Sequence, residues 1–342
     1  MRMSIPVVTV ISPTFNHERF IEKCIASVQA QTLPDWEMII LDDGSTDNTL
    51  AIAKKYADID PRIHVIHQSN IGVFRLAETY NKGLQLARGK YIAILEGDDL
   101  WVHDKLERQV QLMENDPAII LSWGQAELIN AEETQMYYVS PKRGNILDQY
   151  FTNKPNGSIL QLALHNAWLP ALTLLIRKKE LVEIGGFLQS HNMPLVDFPT
   201  ILSLSLKGDF FFEERILGKW RIYATQTTKK HTVEIYNGMA EFLVGHLPKA
   251  YPDQPAEQKK ITQHYNRLCL VAYARSGRYK LIRKEFKSAR KDYLKAIAYP
   301  AGGKFIWRLR AAIGLGMSLF HLDVEWIAKL LGKETYKPSR NK

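Results

Sequence analysis

Apolar residues along the first 130 positions follow two alternating rhythms. Short, nearly continuous runs at 7–12 (VVTVIS), 36–41 (WEMIIL), 63–66 (IHVI) and 91–95 (YIAIL) predict strands. Between them, apolar residues recur every three or four positions, as in Phe20, Ile21, Cys24, Ile25 and Val28, and predict helices. Further helices are expected from Ser45 through Ala57, over 72–88 and over 103–115, the last stopped at Pro117 because proline cannot continue a helix. Strands that are apolar throughout belong to sheets covered on both faces. The alternation therefore predicts an α/β fold, a mostly parallel sheet with helices on both faces.

Beyond 130 the pattern thins. Residues 168–176 read as a buried strand, Gly185-Gly186 as a turn, 198–207 as a helix and 208–212 as the start of another extended segment. From about 235 the rhythm is helical. Ile261, Tyr265, Leu268 and Ala272 share one face, and Tyr279, Ile282, Phe286, Ala289 and Tyr293 another. Gly277 reads as the break between the two arms of a helical hairpin, and no second copy marks a repeat array. The expected division is an α/β domain over 1–235, with halves meeting near 130, and a helical region over 236–342.

Composition adds little until charge is divided along the chain. The 342 residues are 46% hydrophobic and 24% charged, which suits a globular protein. Two distant cysteines need no disulfide framework and suit a reducing, cytoplasmic setting, with Cys24 on a core-facing stripe. No signal peptide is expected, and the nearly uncharged stretch 311–322 is too short to span a bilayer. The net charge of +9 is uneven: residues 1–240 hold 24 Lys and Arg against 28 Asp and Glu, while 241–342 hold 21 against 8. A basic region of this kind faces a phosphate-rich partner such as anionic lipid, or is a solvated surface.

Parallel sheets bind ligands beyond the carboxyl ends of their strands. Those ends here lead into Pro13-Thr14-Phe15-Asn16, Asp42-Asp43 and Glu96-Gly97-Asp98-Asp99. Adjacent carboxylates repel unless a cation or donor groups compensate. Oxygen ligands of this kind suit Mn²⁺ or Mg²⁺, and a metal held by few carboxylates shares its shell with substrate phosphates. Singly, each segment also fits a helix-capping turn. No histidines have metal-ligand spacing, and neither a dinucleotide nor a P-loop glycine pattern is present, which counts against a nicotinamide oxidoreductase. Acidic strand ends count against nucleic acid as a partner. A nucleotide-binding protein without catalysis stays open.

Taken together, PTFN, LDDGSTDNT, NIG, GKYIAILEGDDLW and KLERQ resemble the family-2 glycosyltransferases, which have the Rossmann-like GT-A fold, over about residues 7–130. The branch most resembled has a Glu-Gly-Asp-Asp motif followed by an aromatic, here Trp101. The resemblance implies that Pro13 and Phe15 cradle a base and that Asp43, with Asp42 beside it, reads its ring N–H. Asp98 would touch the ribose, and Asp99 would hold the metal bridging a diphosphate. Many members carry an Arg beside the Asn that matches Asn81; here Tyr80 stands there and Arg75 lies further back. In the acceptor half, about 131–235, Asp197 is the implied base, with Glu213 and Glu214 as competitors. Trp220-Arg221-Ile222-Tyr223 with Gln226 and Thr227 resembles a loop that closes over the diphosphate, Arg221 being its cation.

The implied activity is inverting transfer from a nucleotide-sugar donor, UDP-linked by family habit, to a hydroxyl of a glycan or lipid-linked acceptor in surface polysaccharide synthesis. In the basic region, Phe305, Ile306, Trp307, Leu309 and Ile313 crowd beside Lys304, Arg308 and Arg310. This mixture fits peripheral contact with the inner face of the membrane. It also fits packing on the catalytic domain or a homodimer through the C-terminal helices.

Overall fold

A computed structural model describes residues 5–165, 167–223 and 226–322. The chain forms two compact units, residues 1–230 with 245–253, and residues 231–244 with 254–342.

The first unit contains, in chain order, β1 (Val8–Thr14), α1 (Ile21–Gln29), β2 (Trp36–Asp42), α2 (Thr49–Ile59), β3 (Ile63–His67), α3 (Leu76–Leu86), β4 (Tyr91–Ile94), β5 (Leu100–Trp101) and α4 (Lys105–Asn115). There follow β6 (Ile119–Asn130), β7 (Met136–Ser140), α5 (Asp148–Phe151), α6 (Gln161–Leu164), β8 (Leu175–Arg177), α7 (Lys178–Glu183), α8 (Asp197–Ser205), β9 (Asp209–Ile222) and α9 (Thr227–Lys230). The sheet order is β3-β2-β1-β4-β8-β6-β9-β5, with β7 hydrogen-bonded to β6. The first four strands are parallel, with Val8 opposite both Trp36 and Tyr91. β8 is antiparallel to β4 and β6, while β9 runs parallel to β6 and antiparallel to β5.

Both faces of the parallel part are covered, which is why its strands are apolar at nearly every position. On one face Val8, Val10, Met38, Ile40 and Ala93 pack with Ile21, Cys24, Ile25 and Val28 of α1 and with Leu106, Val110 and Met113 of α4. On the other, Ile11 and Leu41 meet α3 at Gly83, where an added Cβ would come within 2.9 and 3.0 Å of their side chains. This is the expected α/β architecture, and both cysteines are buried and free.

The acceptor half departs from its reading. Of residues 168–176, only the end joins the sheet, as β8. Pro170 and Ala171 instead open a tight turn, their carbonyls accepting the N–H groups of Thr173 and Leu174 at 2.9 and 3.1 Å. An apolar run cannot by itself tell a strand from buried turn, since both hide the same side chains.

In the second unit, α10 (Thr232–Ala250), whose last residues belong to the first unit, is followed by α11 (Pro255–Ile282), α12 (Phe286–Ala298) and α13 (Phe305–Leu319). The boundary expected at 235 lies inside α10. The hairpin break is not Gly277, which lies within α11; the chain turns at Arg283-Lys284-Glu285, with Lys284 at φ 61°. Gly277 instead admits Tyr293 of α12, for an added Cβ would lie 2.7 Å from its ring. Gly314 of α13 also touches that ring, too closely for any side chain.

Candidate active site

β1, β2 and β4 end side by side, and backbone hydrogen bonds join their loops. The Thr14 carbonyl accepts the Asp43 N–H at 2.9 Å, and the Pro13 carbonyl accepts the Gly97 N–H at 3.2 Å. Asn16 donates its N–H to Ser45 Oγ at 2.9 Å and accepts the Thr46 N–H at 2.8 Å. A Cβ on Gly97 would stand 2.5 Å from Thr14 Oγ1, so glycine is what lets the β4 loop reach the end of β1. Pro13 is buried within β1, whereas Phe15 presents an exposed ring.

Asp42 ends β2 fully buried. Its Oδ2 meets His67 Nδ1 at 2.7 Å and accepts the Ser45 N–H at 3.3 Å, while Oδ1 has no hydrogen-bond partner. Asp43 Oδ1 accepts Gln68 Nε2 at 2.8 Å and the Ile71 N–H at 3.0 Å, and its Oδ2 accepts the Gly72 N–H at 3.1 Å. The carboxylate expected to read a base thus also anchors the loop after β3. With about four lone-pair positions on an ionised carboxylate, room for one further donor remains.

The Glu96–Asp99 motif is braced from several sides. Tyr80 donates its hydroxyl to Glu96 Oε1 at 3.0 Å, Tyr223 donates to Asp98 Oδ2 at 2.8 Å, and the Arg221 N–H reaches Asp99 Oδ1 at 2.8 Å. Pairing of β5 with β9, Leu100 opposite Lys219 and Trp101 opposite Gly218, carries residues 221–223 to the motif. Burial, then repulsion from Asp98, pushes Glu96 up to about 7 and raises Asp99 well above the usual carboxylate range. Asp197, the first residue of α8, is also raised by burial, partly offset by the N–H groups of Phe198 and of Asp197 itself. Its charge in turn raises both Glu96 and Tyr80, so these groups share one electrostatic neighbourhood.

Among the described residues, no three carboxylate, histidine or cysteine side chains converge on a point. A divalent cation here would take one or two protein oxygens and complete its shell from ligand and water, the usual habit of Mg²⁺ at phosphates. Asp99 fits: one oxygen is held by the backbone, the other is clear of that bond, and a cation would relieve its repulsion with Asp98.

Arg221 is placed otherwise than expected. It is 1% exposed, its Nε donates to the Asp98 carbonyl at 2.6 Å, its Nη1 to the Ala131 carbonyl at 3.0 Å, and its Nη2 pairs with Glu133 at 2.9 Å. The ring of Phe20 lies 4.9 Å from the guanidinium. Its fork is spent inside the protein, where it braces the motif rather than reaching over a diphosphate. Glu213 pairs with Arg108 at 2.7 Å, Glu214 pairs with Arg143, and Arg75 pairs with Glu78 at 2.6 Å. The sequence pattern does not announce the bonds of His67, Tyr80 and Tyr223 to the site carboxylates. In the sequence Tyr80 stands out only as a departure from the family pattern, and that departure is its signal. A groove of about 690 Å³ lined by Arg108, Gln111, Asn115, Thr152, Lys154 and Phe211, among others, holds none of the site carboxylates.

Comparison with known proteins fits this geometry. A model described as Glycosyl transferase family 2 matches residues 9–169. The putative teichuronic acid biosynthesis glycosyltransferase TuaG of Bacillus subtilis (strain 168) is 36% identical over 205 residues, covering 59% of this chain and 73% of TuaG. The chain belongs to glycosyl transferase family 2. UDP-Glc:alpha-D-GlcNAc-diphosphoundecaprenol beta-1,3-glucosyltransferase WfgD of Escherichia coli is 34% identical over 137 residues, 40% of this chain and 52% of WfgD. Among solved structures, S. aureus TarS 1–349 in complex with UDP-GlcNAc superposes with a TM-score of 0.60 at 17% identity, covering 98% of this chain and 95% of TarS 1–349. That likeness is one of fold. The family-2 chain has a GT-A fold with a C-terminal helical region, as the motifs implied.

Proposed function

We propose that this chain transfers a sugar, with inversion, from a UDP-sugar to a hydroxyl of a glycan or lipid-linked acceptor in surface polysaccharide synthesis. The observation that carries the reading is the group of Glu96, Asp98 and Asp99, braced by Tyr80, Tyr223 and Arg221 at a strand end, with Asp197 within electrostatic reach. The UDP-GlcNAc bound by TarS and the UDP-Glc donor and lipid diphosphate acceptor in the name of WfgD support the choice of substrates.

In this reading Phe15 stacks on the base above Pro13, and Asp43 offers its remaining lone pair to the ring N–H. Asp42 stiffens that turn through His67 and Ser45. Asp98 accepts a ribose hydroxyl, and Arg221 positions Asp98 and Asp99 from behind. Asp99 would hold Mn²⁺ or Mg²⁺, whose charge would offset that of a departing diphosphate. Asp197, ionised and made more basic by burial, takes the proton of the acceptor hydroxyl as its oxygen attacks the anomeric carbon. Attack opposite the leaving group in a single displacement inverts that carbon. A lipid-linked acceptor places this chemistry at the inner face of the membrane, with the chain bound peripherally.

The test is nucleotide release by the purified full chain from UDP-, GDP- and dTDP-sugars, with Mn²⁺ or with EDTA, followed by NMR of the product's anomeric centre. Turnover of a UDP-sugar lost in EDTA, and an inverted product, are expected. Turnover indifferent to EDTA, or retained configuration, overturns the mechanism.

A further inference from the structure

Within the second unit, α13 turns an unbroken apolar face to solvent. Phe305, Ile306, Leu309, Ile313, Leu319 and Phe320 are each about half exposed or more, up to 77% for Phe320. The periodicity puts them on one side, with only Ala312 and Gly316 between, and puts the buried Ala311, Gly314 and Ser318 on the other. Packing fixes this rotation. Gly314 lies against the Tyr293 ring too closely to admit a side chain. Arg308, on the same helix, donates to the carbonyls of Tyr299 and Ala301 at 2.7 and 2.6 Å, and to that of Ile297. Rolling the helix to hide its apolar face would drive backbone into that ring and break those bonds. The exposure is therefore built into the packing.

The surroundings of this face are cationic. Lys304 and Arg310 are exposed at its margins, and residues 254–322 hold fifteen Lys and Arg against three Asp and Glu. A contiguous apolar patch rimmed by polar groups marks an interaction site. A second copy of this chain would set two strongly cationic units against each other, whereas anionic headgroups would neutralise the rim while acyl chains cover the apolar face. Among the described residues no helix is long and apolar enough to cross a membrane, so the contact is with a surface.

We propose that this face of α13 inserts into the interfacial layer of an anionic bilayer, with Lys304 and Arg310 on lipid phosphates. The proposal deepens the peripheral-membrane part of the function above. It rests on the second unit alone and not on the donor chemistry.

The test is flotation of the full chain with phosphatidylglycerol-rich or pure phosphatidylcholine vesicles, at low and high salt. Two variants accompany it, one combining Ile306→Glu, Leu309→Glu and Ile313→Glu, the other Lys304→Gln and Arg310→Gln. All five positions are exposed, so both variants should melt like the parent. The parent is expected to float with anionic vesicles and to be released by salt. The apolar variant should lose at least about tenfold in binding. The charge variant should lose about fivefold per cation removed. UDP-sugar turnover in solution should be unchanged in both, so failure of the donor reading and failure of this one are distinguishable. Flotation of the apolar variant equal to the parent's, or indifference of the parent to phosphatidylglycerol, overturns the proposal. So does a parent dimer that the apolar variant dissociates while neither floats, for then a second copy covers the face.

Discussion

The surroundings of Asp99 oppose a negative charge on it, and this decides what its replacement does. Asn at this position keeps an oxygen for the Arg221 N–H while losing both the charge and its repulsion with Asp98. Asp99→Asn is therefore expected to melt no lower than the parent without metal, yet to lose metal-dependent turnover; retained turnover would remove Asp99 from the metal site. At Asp197 the expectation is kinetic. Asp197→Asn should slow transfer by roughly a hundredfold or more, the scale of a lost general base, with donor affinity unchanged. Because burial raises its pKa and the base works only when ionised, parent activity should rise with pH through a limb above the ordinary aspartate value of about 4. That limb should vanish in the residual activity of Asp197→Asn, and a profile identical to the parent's would move the base elsewhere. At this scale the sequence was legible in where it puts side chains along the chain, as in placing Asp43 and Asp99 just beyond strand ends. It was not legible where the direction of a side chain matters. A guanidinium in Trp220-Arg221-Ile222-Tyr223 reads as a cation for phosphate, but its turn towards the Asp98 and Ala131 carbonyls is set by strands distant in sequence.

Between elements, the end of β9 does the bracing. β9 pairs with β6 along most of its length and with β5 near its end, so residues 221–223 arrive at the motif on a sheet, where position is better fixed than on a free loop. Replacing Arg221 by Met should leave the Asp98 and Ala131 carbonyls without their donor, while Glu133 keeps Lys23 at 2.8 Å. We expect a loss of roughly 1–3 kcal/mol in urea unfolding, the scale of a buried acceptor left unsatisfied. A weaker donor affinity should accompany it as Asp98 loosens. Full stability in Arg221→Met would mean that water replaces the guanidinium without penalty. The same scale explains which elements could be read in advance. β1 to α4 repeat a unit whose strands are covered on both faces, so period and burial agree. Residues 168–174 are buried too, but in a turn, and burial alone predicted a strand. Gly277 reads as a hairpin break because glycine weakens helices, while its use is the close approach of Tyr293, visible only once α12 is in place.

For the whole molecule, the division of charge was the most informative feature of the sequence: nearly balanced over 1–240, strongly positive beyond. The basic part forms its own helical unit, but segment 245–253 returns to the first, which no break in composition announces. That returning segment carries His246, only 4% exposed. Burial first, and then Lys249, lower its pKa from 6.5 to about 4. The neutral ring is thus favoured in the folded chain, while the unfolded chain takes up a proton at about pH 6.5. Between about pH 6.5 and 4 the unfolded chain binds the extra proton at this group, so its own contribution to stability rises with pH, while Glu96, raised from 4.5 to about 7, contributes with the opposite sign over much of the same range. The shift corresponds to about 3 kcal/mol between the two ends, at about 1.4 kcal/mol per pKa unit. Carboxylates with lowered pKa values, such as Asp60 beside Arg62 at about 2, lose their contribution only at lower pH, so the two effects separate. Urea midpoints measured from pH 4 to 7.5 for the parent and for His246→Gln check this. The parent's midpoint is expected to rise relative to the variant's between pH 4 and 6.5, because only the parent carries the His246 contribution. An equal slope in both proteins would assign the acid sensitivity to another buried group.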